Sequence, residues 1–238
     1  MEQMAEPRWG LLEIAAVYIG IIAAGLIFGR FSGGIKAWLA GTGAGDTTLA
    51  FFTIAYIFQV AVTVLLVLVF TLVLNRARLS DLGVRNVRGR NYIRYGLLGG
   101  FLLMIFVIGL GLIVNQFNPD VKPQLFEEML RSAGNWGDFI ILLIMGSVLA
   151  PVSEELYYRG MIYPVFKSHL GTFWGAILAG LLFGAVHWDL WRAVPLAAGG
   201  VVLCYIYEKS GSILVSALAH GVWNGIMAFI VYFSIMKV

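Results

Sequence analysis

Glu154 and Glu155 stand side by side, and Arg159 follows four residues after the second of them, inside a run that otherwise reads as membrane helix. An ionised group at bilayer depth costs about 2.5–3.5 kcal/mol on the lower scales unless it is paired or hydrated. Glu155 and Arg159 are i and i+4 with the carboxylate first, so they share a helix face and can neutralise each other. Glu154 is turned about 100° from Glu155 on a 3.6-residue helix, which leaves it without a cation of its own in the helix. A Glu-Arg pair by itself reads as readily as helix glue or a fold-specifying contact. The second carboxylate is surplus to that role. Glu154 is therefore the candidate for chemistry, with Glu155–Arg159 as its brace.

Two further polar signals sit in apolar runs: Phe183-Gly184-Ala185-Val186-His187 and His220-Gly221-Val222-Trp223-Asn224. His220 and Asn224 are i and i+4 and point from one face. A lone histidine in such a helix is more often a satisfied core residue, and His169, at a helix boundary near Lys167, reads as interfacial only. Two deep histidines, an asparagine and an unpaired glutamate together have a chemistry. A glutamate and a histidine can hold and deprotonate a water. A second histidine and a carboxamide can donate hydrogen bonds to the oxyanion of a tetrahedral intermediate, at about 3–4 kcal/mol per donor in a dry site. That is amide hydrolysis by activated water, with no covalent enzyme intermediate. Cys204 has no histidine near it in sequence, and Ser153 merely adjoins the glutamates, so no nucleophile set competes. Glu154, His187 and His220 are also ligand types for Zn²⁺. There is no H-E-x-x-H, however, and Arg159 beside the carboxylates disfavours a cation, so the expectation is no cofactor.

The elements that hold these residues are apolar helices. Of 238 residues, 60% are hydrophobic and 12% charged, against about 25% charged in soluble domains. The chain reads as all-α, a polytopic transmembrane helical bundle of seven to eight membrane helices. One domain suffices for residues 1–238, with N-terminal helices over 1–137 and catalytic helices over 138–238. The net charge of +3 implies no nucleic-acid partner, because the basic residues sit in loops. The start from Met1 to Arg8 is mixed in charge and unlike a cleavable signal. Spans are expected at about 10–29, 49–74 and 95–114, the second almost free of polar groups. The Gly-rich stretch 30–48, with Gly41, Gly43 and Gly45, reads as a flexible loop. Arg76, Arg78, Arg85, Arg88, Arg90 and Arg94 face only Asp81 in the segment after the second span. Such loops stay cytoplasmic, which places the N-terminus there too. The loop 115–137, with Asp120, Glu127 and Glu128, suits the far side. Its residues 123–132 suggest a short interfacial helix, in which Glu127-Glu128 is a decoy for the main motif.

The fourth helix is expected to run past Pro164, which bends it, to a turn near 168. A fifth ends at His187, a sixth covers about 193–207, and the last covers about 213–235. At 1.5 Å per residue, Glu154 lies about 21 Å before that turn and His187 about 25 Å after it, so they meet at one level. The turn holding Asp189 and Arg192 then falls near mid-membrane, where the two need water or each other. Gly25-x-x-x-Gly29, Gly180–Gly184 and Gly221–Gly225 have the small-residue spacing that permits close helix approach.

Glu154-Glu155-x-x-x-Arg159, Phe183-x-x-x-His187 and His220-x-x-x-Asn224, in that order and each in an apolar helix, resemble the three signature motifs of the type II CAAX prenyl endopeptidases, part of the wider CPBP (Abi) family of intramembrane proteases. The resemblance covers about 138–230. Earlier residues match only in being helical and apolar, with Leu82-Gly83 a weak echo. The resemblance implies a membrane endopeptidase of metal-independent glutamate type, open to the cytoplasm. Glu154 and His187 would activate water, His220 and Asn224 would stabilise the oxyanion, and Glu155, Arg159 and Phe183 would support the site. Its substrate would be a lipidated, CAAX-type prenylated protein or peptide cut near its C-terminus, and its partner the bilayer of the cell membrane. Two other classes use the same residues: a proton-coupled transporter, whose relays also need buried Glu and His, and a non-catalytic membrane immunity or partner protein.

Overall fold

The computed structural model describes residues 6–43, 47–118 and 122–235; Gly45, Asp120 and the mixed-charge start at Met1 lie outside the described residues. Six helices are long and apolar enough to cross a membrane. They are α1 (Leu11–Gly41), α2 (Thr47–Leu74), α3 (Gly89–Phe117), the run Trp136–Ala185, α7 (Leu190–Ser210) and α8 (Ile213–Ser234). A short helix, α4 (Leu125–Ser132), precedes the fourth run. Within that run Gly171 has φ 74° and ψ 173°, an extended left-side conformation that glycine adopts without a Cβ penalty. It divides the run into α5 (136–170) and α6 (172–185). The described residues thus form seven long helices and one short one, a polytopic helical bundle as expected.

The break lies at Gly171, three residues past the expected turn, and Pro164 is accommodated differently from a simple bend. α5 widens to π turns at Met145–Leu149 and Leu156–Ile162, and each ends shortly before a proline, Pro151 and Pro164. A widened turn re-routes the hydrogen bonds that proline cannot make. The first span differs more. α1 continues to Gly41 where a loop was expected from residue 30. Gly33 and Gly34 weaken a helix by about 1 kcal/mol each, yet the apolar Ile35, Trp38 and Leu39 follow them, and Leu39 is buried.

One end of the bundle gathers the arginine-rich segment. Arg8 donates to the Arg76 carbonyl at 2.8 Å, so the N-terminal residues lie at this end. Ser212 donates to the Arg85 carbonyl, and Ile213 N to Gly83 O. Gly83 has φ 75°, and a Cβ there would strike the Tyr207 ring. Lys167 bonds Glu208 at 2.6 Å and joins the end of α5 to the end of α7. α4, the α6–α7 turn and the C-terminal end of α8 occupy the opposite end.

Glycines set the tightest approaches. A Cβ on Gly184 would collide with the Ala193 carbonyl oxygen, one on Gly180 with the Ala197 carbonyl, and one on Gly221 with the Ser147 carbonyl. These spacings therefore pack helices within the chain, α6 on α7 and α8 on α5. Gly25 and Gly29 have open space where a Cβ would stand, so that spacing packs nothing here. Gly221→Ala is expected to destabilise the fold by about 1–3 kcal/mol, since backbone must shift to admit the methyl. Gly29→Ala should change stability little. Thermal unfolding of both in detergent micelles checks the contrast.

Candidate active site

Glu155 and Arg159 meet across one helical turn at 2.8 Å with both side chains fully buried. Arg159 also donates from its other terminal nitrogen to the Gly200 carbonyl at 2.8 Å, and its guanidinium lies 5.0 Å from the Phe183 ring centre. The brace therefore ties α5 to α6 and α7. His220 on α8 contacts the same carboxylate, with Nδ1 2.9 Å from Glu155 Oε1. An ionised carboxylate only accepts, so Nδ1 carries the proton. This orients the ring and leaves Nε2 facing Glu154 Oε2 at 3.8 Å. His187 is fixed in the same way: its Nδ1 lies 2.9 Å from the Phe183 carbonyl, which also only accepts, so its free nitrogen is Nε2. A held Nδ1–H is what aims an imidazole nitrogen at its work.

Phe183 is the ring the site is stacked around. It packs edge-on to Tyr158, His187 and His220, with centroids at 5.2, 5.5 and 5.6 Å. Trp223 stacks on the other face of His220 at 5.3 Å. Asn224 donates one amide hydrogen to the Gly146 carbonyl at 3.0 Å, in the first widened turn of α5. Its second hydrogen remains for a ligand.

Glu154, His187, His220, Asn224 and Phe183 line one cavity of about 400 Å³. Glu154, whose side chain is 34% exposed, also borders a second cavity of about 300 Å³ between α1, α2, α5 and α6. Tyr56, Ala150, Glu154, Phe183 and His187 are common to both. A third cavity, of about 330 Å³, shares Ile21 and Gln59 with the second; apart from Gln59, its walls are apolar, from Ile22, Gly25 and Phe28 to Phe58 and Val62. The Glu, two His and Asn read from the sequence thus share one cavity. His169 and Cys204 do not line it.

Two contributors were not read from the sequence, one on α2 and one on α4. α2 supplies Tyr56, Gln59 and Thr63 to the cavities. With Thr53 they form a polar stripe at intervals of three or four residues, a helical period that was visible in a span taken as nearly free of polar groups. Glu127, set aside as a decoy, lines the main cavity from α4 together with Gln124, Phe126 and Leu130. Its carboxylate pairs with Arg131 at 2.7 Å and with Arg192 at 3.2 Å. Asp189 caps α7 by accepting from the Trp191 and Arg192 backbone. The α6–α7 turn is therefore docked on α4 and does not stand bare in the bilayer. The cavity accordingly extends toward α4, Met227 and Val231, away from the arginine-rich end. As for Zn²⁺, among the described residues no three His, Cys, Asp or Glu side chains converge closely enough to hold a metal ion.

Polar side chains converging from apolar helices on one cavity define a site within the helical bundle of an integral membrane protein. Residues 136–226, which hold all three motifs, match the family model described as type II CAAX prenyl endopeptidase Rce1-like, and the resemblance is thereby shown over that segment. The chain is 26% identical over 84 residues to a Bacillus subtilis (strain 168) protein provisionally named membrane peptidase YdiL, covering 35% of this chain and 34% of that one. It is 34% identical over 88 residues to an uncharacterized 24.3 kDa protein of Escherichia coli, covering 35% and 41%. It is 30% identical over 105 residues to UPF0177 protein YaiF of Lactococcus lactis subsp. lactis (strain IL1403), covering 42% and 44%. The matched parts make up between a third and a half of each of these relatives. No solved structure matches the chain.

Proposed function

We propose that the protein is an intramembrane endopeptidase that cuts a peptide bond near the C-terminus of a lipidated, CAAX-type protein or peptide. The observation that supports this reading is the single cavity shared by Glu154, His187, His220 and Asn224. A water bridges Glu154 and His187 Nε2. Glu154 takes one proton as the water oxygen attacks the scissile carbonyl. The oxyanion accepts hydrogen bonds from the free Asn224 amide hydrogen and from His220 Nε2, which donates only when both ring nitrogens carry protons. On collapse the C–N bond breaks, Glu154 returns its proton to the leaving nitrogen, and a carboxylic acid and an amine result; the acid's remaining proton passes to the amine, so that a carboxylate and an ammonium depart. No metal ion or cofactor takes part.

The adjoining cavities form a passage from Glu154 to Phe28 whose apolar far end favours a substrate with a hydrocarbon chain. It runs about 15 Å along α1 from Tyr18 to Phe28, polar beside the site and apolar beyond it. We place the arginine-rich end and the N-terminus at the cytoplasmic face of the cell membrane. A membrane-anchored substrate then reaches Glu154 sideways through this passage.

The test is mass spectrometry of farnesylated, palmitoylated and unlipidated peptides of one sequence, incubated with purified protein with and without EDTA. Cleavage of a lipidated peptide, unaffected by EDTA, is expected. Substrate-driven proton flux in proteoliposomes without any cleavage would favour a transporter. Gly25→Trp fills the passage at a place where a side chain meets nothing. It is expected to slow turnover of the lipidated peptide about tenfold and to leave any turnover of the unlipidated one unchanged. Equal effects on both would remove the passage from the account of substrate choice.

A further inference from the structure

Tyr56 lies outside the segment that matches the family model, yet it borders both cavities that meet at Glu154. Its ring is held by aromatic neighbours, with Phe52 at 5.9 Å and Phe126 at 6.2 Å. Its hydroxyl is held poorly. Among the described residues the one bond it makes is to the Met145 carbonyl at 3.4 Å, well beyond the 2.7–2.8 Å usual for O–H···O. That carbonyl belongs to the widened turn Met145–Leu149, and the next one, of Gly146, anchors Asn224. Two donors from two different helices, α2 and α8, are thus tethered to consecutive carbonyls of one irregular turn, and both face the cavity that holds Glu154 and His220. Asn224 keeps a hydrogen free; Tyr56 has a single hydrogen in a long bond that is easily exchanged for a better acceptor.

We propose that Tyr56 is a catalytic residue of this site, whose hydroxyl leaves Met145 to donate to the oxyanion alongside Asn224. This rests on the peptidase reading. As water adds to the carbonyl and Glu154 takes its proton, negative charge builds on the former carbonyl oxygen, and the Tyr56 O–H shortens onto it. The hydroxyl keeps its proton throughout. When the C–N bond breaks and Glu154 protonates the amine, Tyr56 returns to Met145. A donor engaged only in the transition state lowers kcat when lost and leaves ground-state binding alone.

Tyr56→Phe removes the hydroxyl and keeps the ring between Phe52 and Phe126. With a lipidated peptide that the wild type cleaves, kcat is expected to fall about tenfold to a hundredfold with KM within twofold. A peptide aldehyde of the same sequence, which hydrates to a tetrahedral diol, should bind the variant about tenfold more weakly. The uncleaved peptide should bind a Glu154→Gln background equally well with and without the added Tyr56→Phe change. Combining Tyr56→Phe with Asn224→Ala should cost less than the product of the single losses, because both donors serve one oxygen. An unchanged kcat and aldehyde affinity in Tyr56→Phe would overturn the inference and leave the peptidase reading standing. A rise in KM alone would make Tyr56 a binding residue and overturn it as well. Failure of the wild type to cleave any peptide of the panel would remove the peptidase reading and this inference together.

Discussion

Glu154→Gln is expected to lower kcat about 10³–10⁴-fold while the protein stays folded, with KM little changed. The amide keeps the size and one acceptor oxygen of the carboxylate, but it cannot take a proton from water. The side chain is partly exposed to the cavities and makes no buried ion pair, its nearest charged contact being His220 Nε2 at 3.8 Å. Neutralising it therefore leaves no uncompensated charge. Single-turnover cleavage of a lipidated peptide, with thermal unfolding measured on the same preparation, checks both halves. A Glu154→Gln protein with wild-type turnover would end the glutamate mechanism.

Arg159→Met has the opposite profile. It leaves the Glu155 carboxylate fully buried without its cation, with His220 Nδ1 and the Ser216 hydroxyl left to meet it. Removing one partner of a buried pair costs about 3–5 kcal/mol, so a large fall in melting temperature is expected in detergent. Glu155→Leu combined with Arg159→Met removes both charges and should recover much of that stability, since the apolar replacements pack without a desolvation penalty. Activity should not return with it. His220 Nδ1 loses its acceptor in the double variant, and the ring is no longer held with Nε2 toward Glu154. Recovery of stability and turnover together would show that Glu155 does no more than balance Arg159.

The contrast between these variants follows from what was legible in the sequence. The i, i+4 pair assigns Glu155 to Arg159 by helix geometry alone, and the structure has that pair. The level of Glu154 and His187 follows from counting residues on either side of a turn, and a shift of the break from about 168 to Gly171 hardly changes the count. What stayed hidden concerns facing. A helix that is apolar on all sides carries no hydrophobic stripe to say which side looks inward. The inward face of α2 was therefore readable only from its sparse polar residues, Tyr56, Gln59 and Thr63. Glu127 was misjudged for a related reason. It lies in a loop read as polar and on the far side, whereas its partner Arg192 is 65 residues away and local spacing holds no trace of it. The extension of α1 past Gly33-Gly34 was hidden because glycine reads as loop in water, while in lipid an unpaired backbone costs more than glycine's flexibility.

The break at Gly171 also bears on the lipid around the protein. Phe173 and Trp174 are exposed just after it, and Trp188 is exposed just beyond the other end of α6. Aromatic residues of this kind settle at headgroup level. Only about 20 Å of helix separates the two girdles on this flank, against a hydrocarbon layer of about 30 Å. Local thinning of the bilayer beside α6 is one accommodation of such a mismatch. A thinner bilayer there would bring hydrated headgroups closer to His187, which borders both cavities, and under the peptidase reading would shorten the path of water to the site.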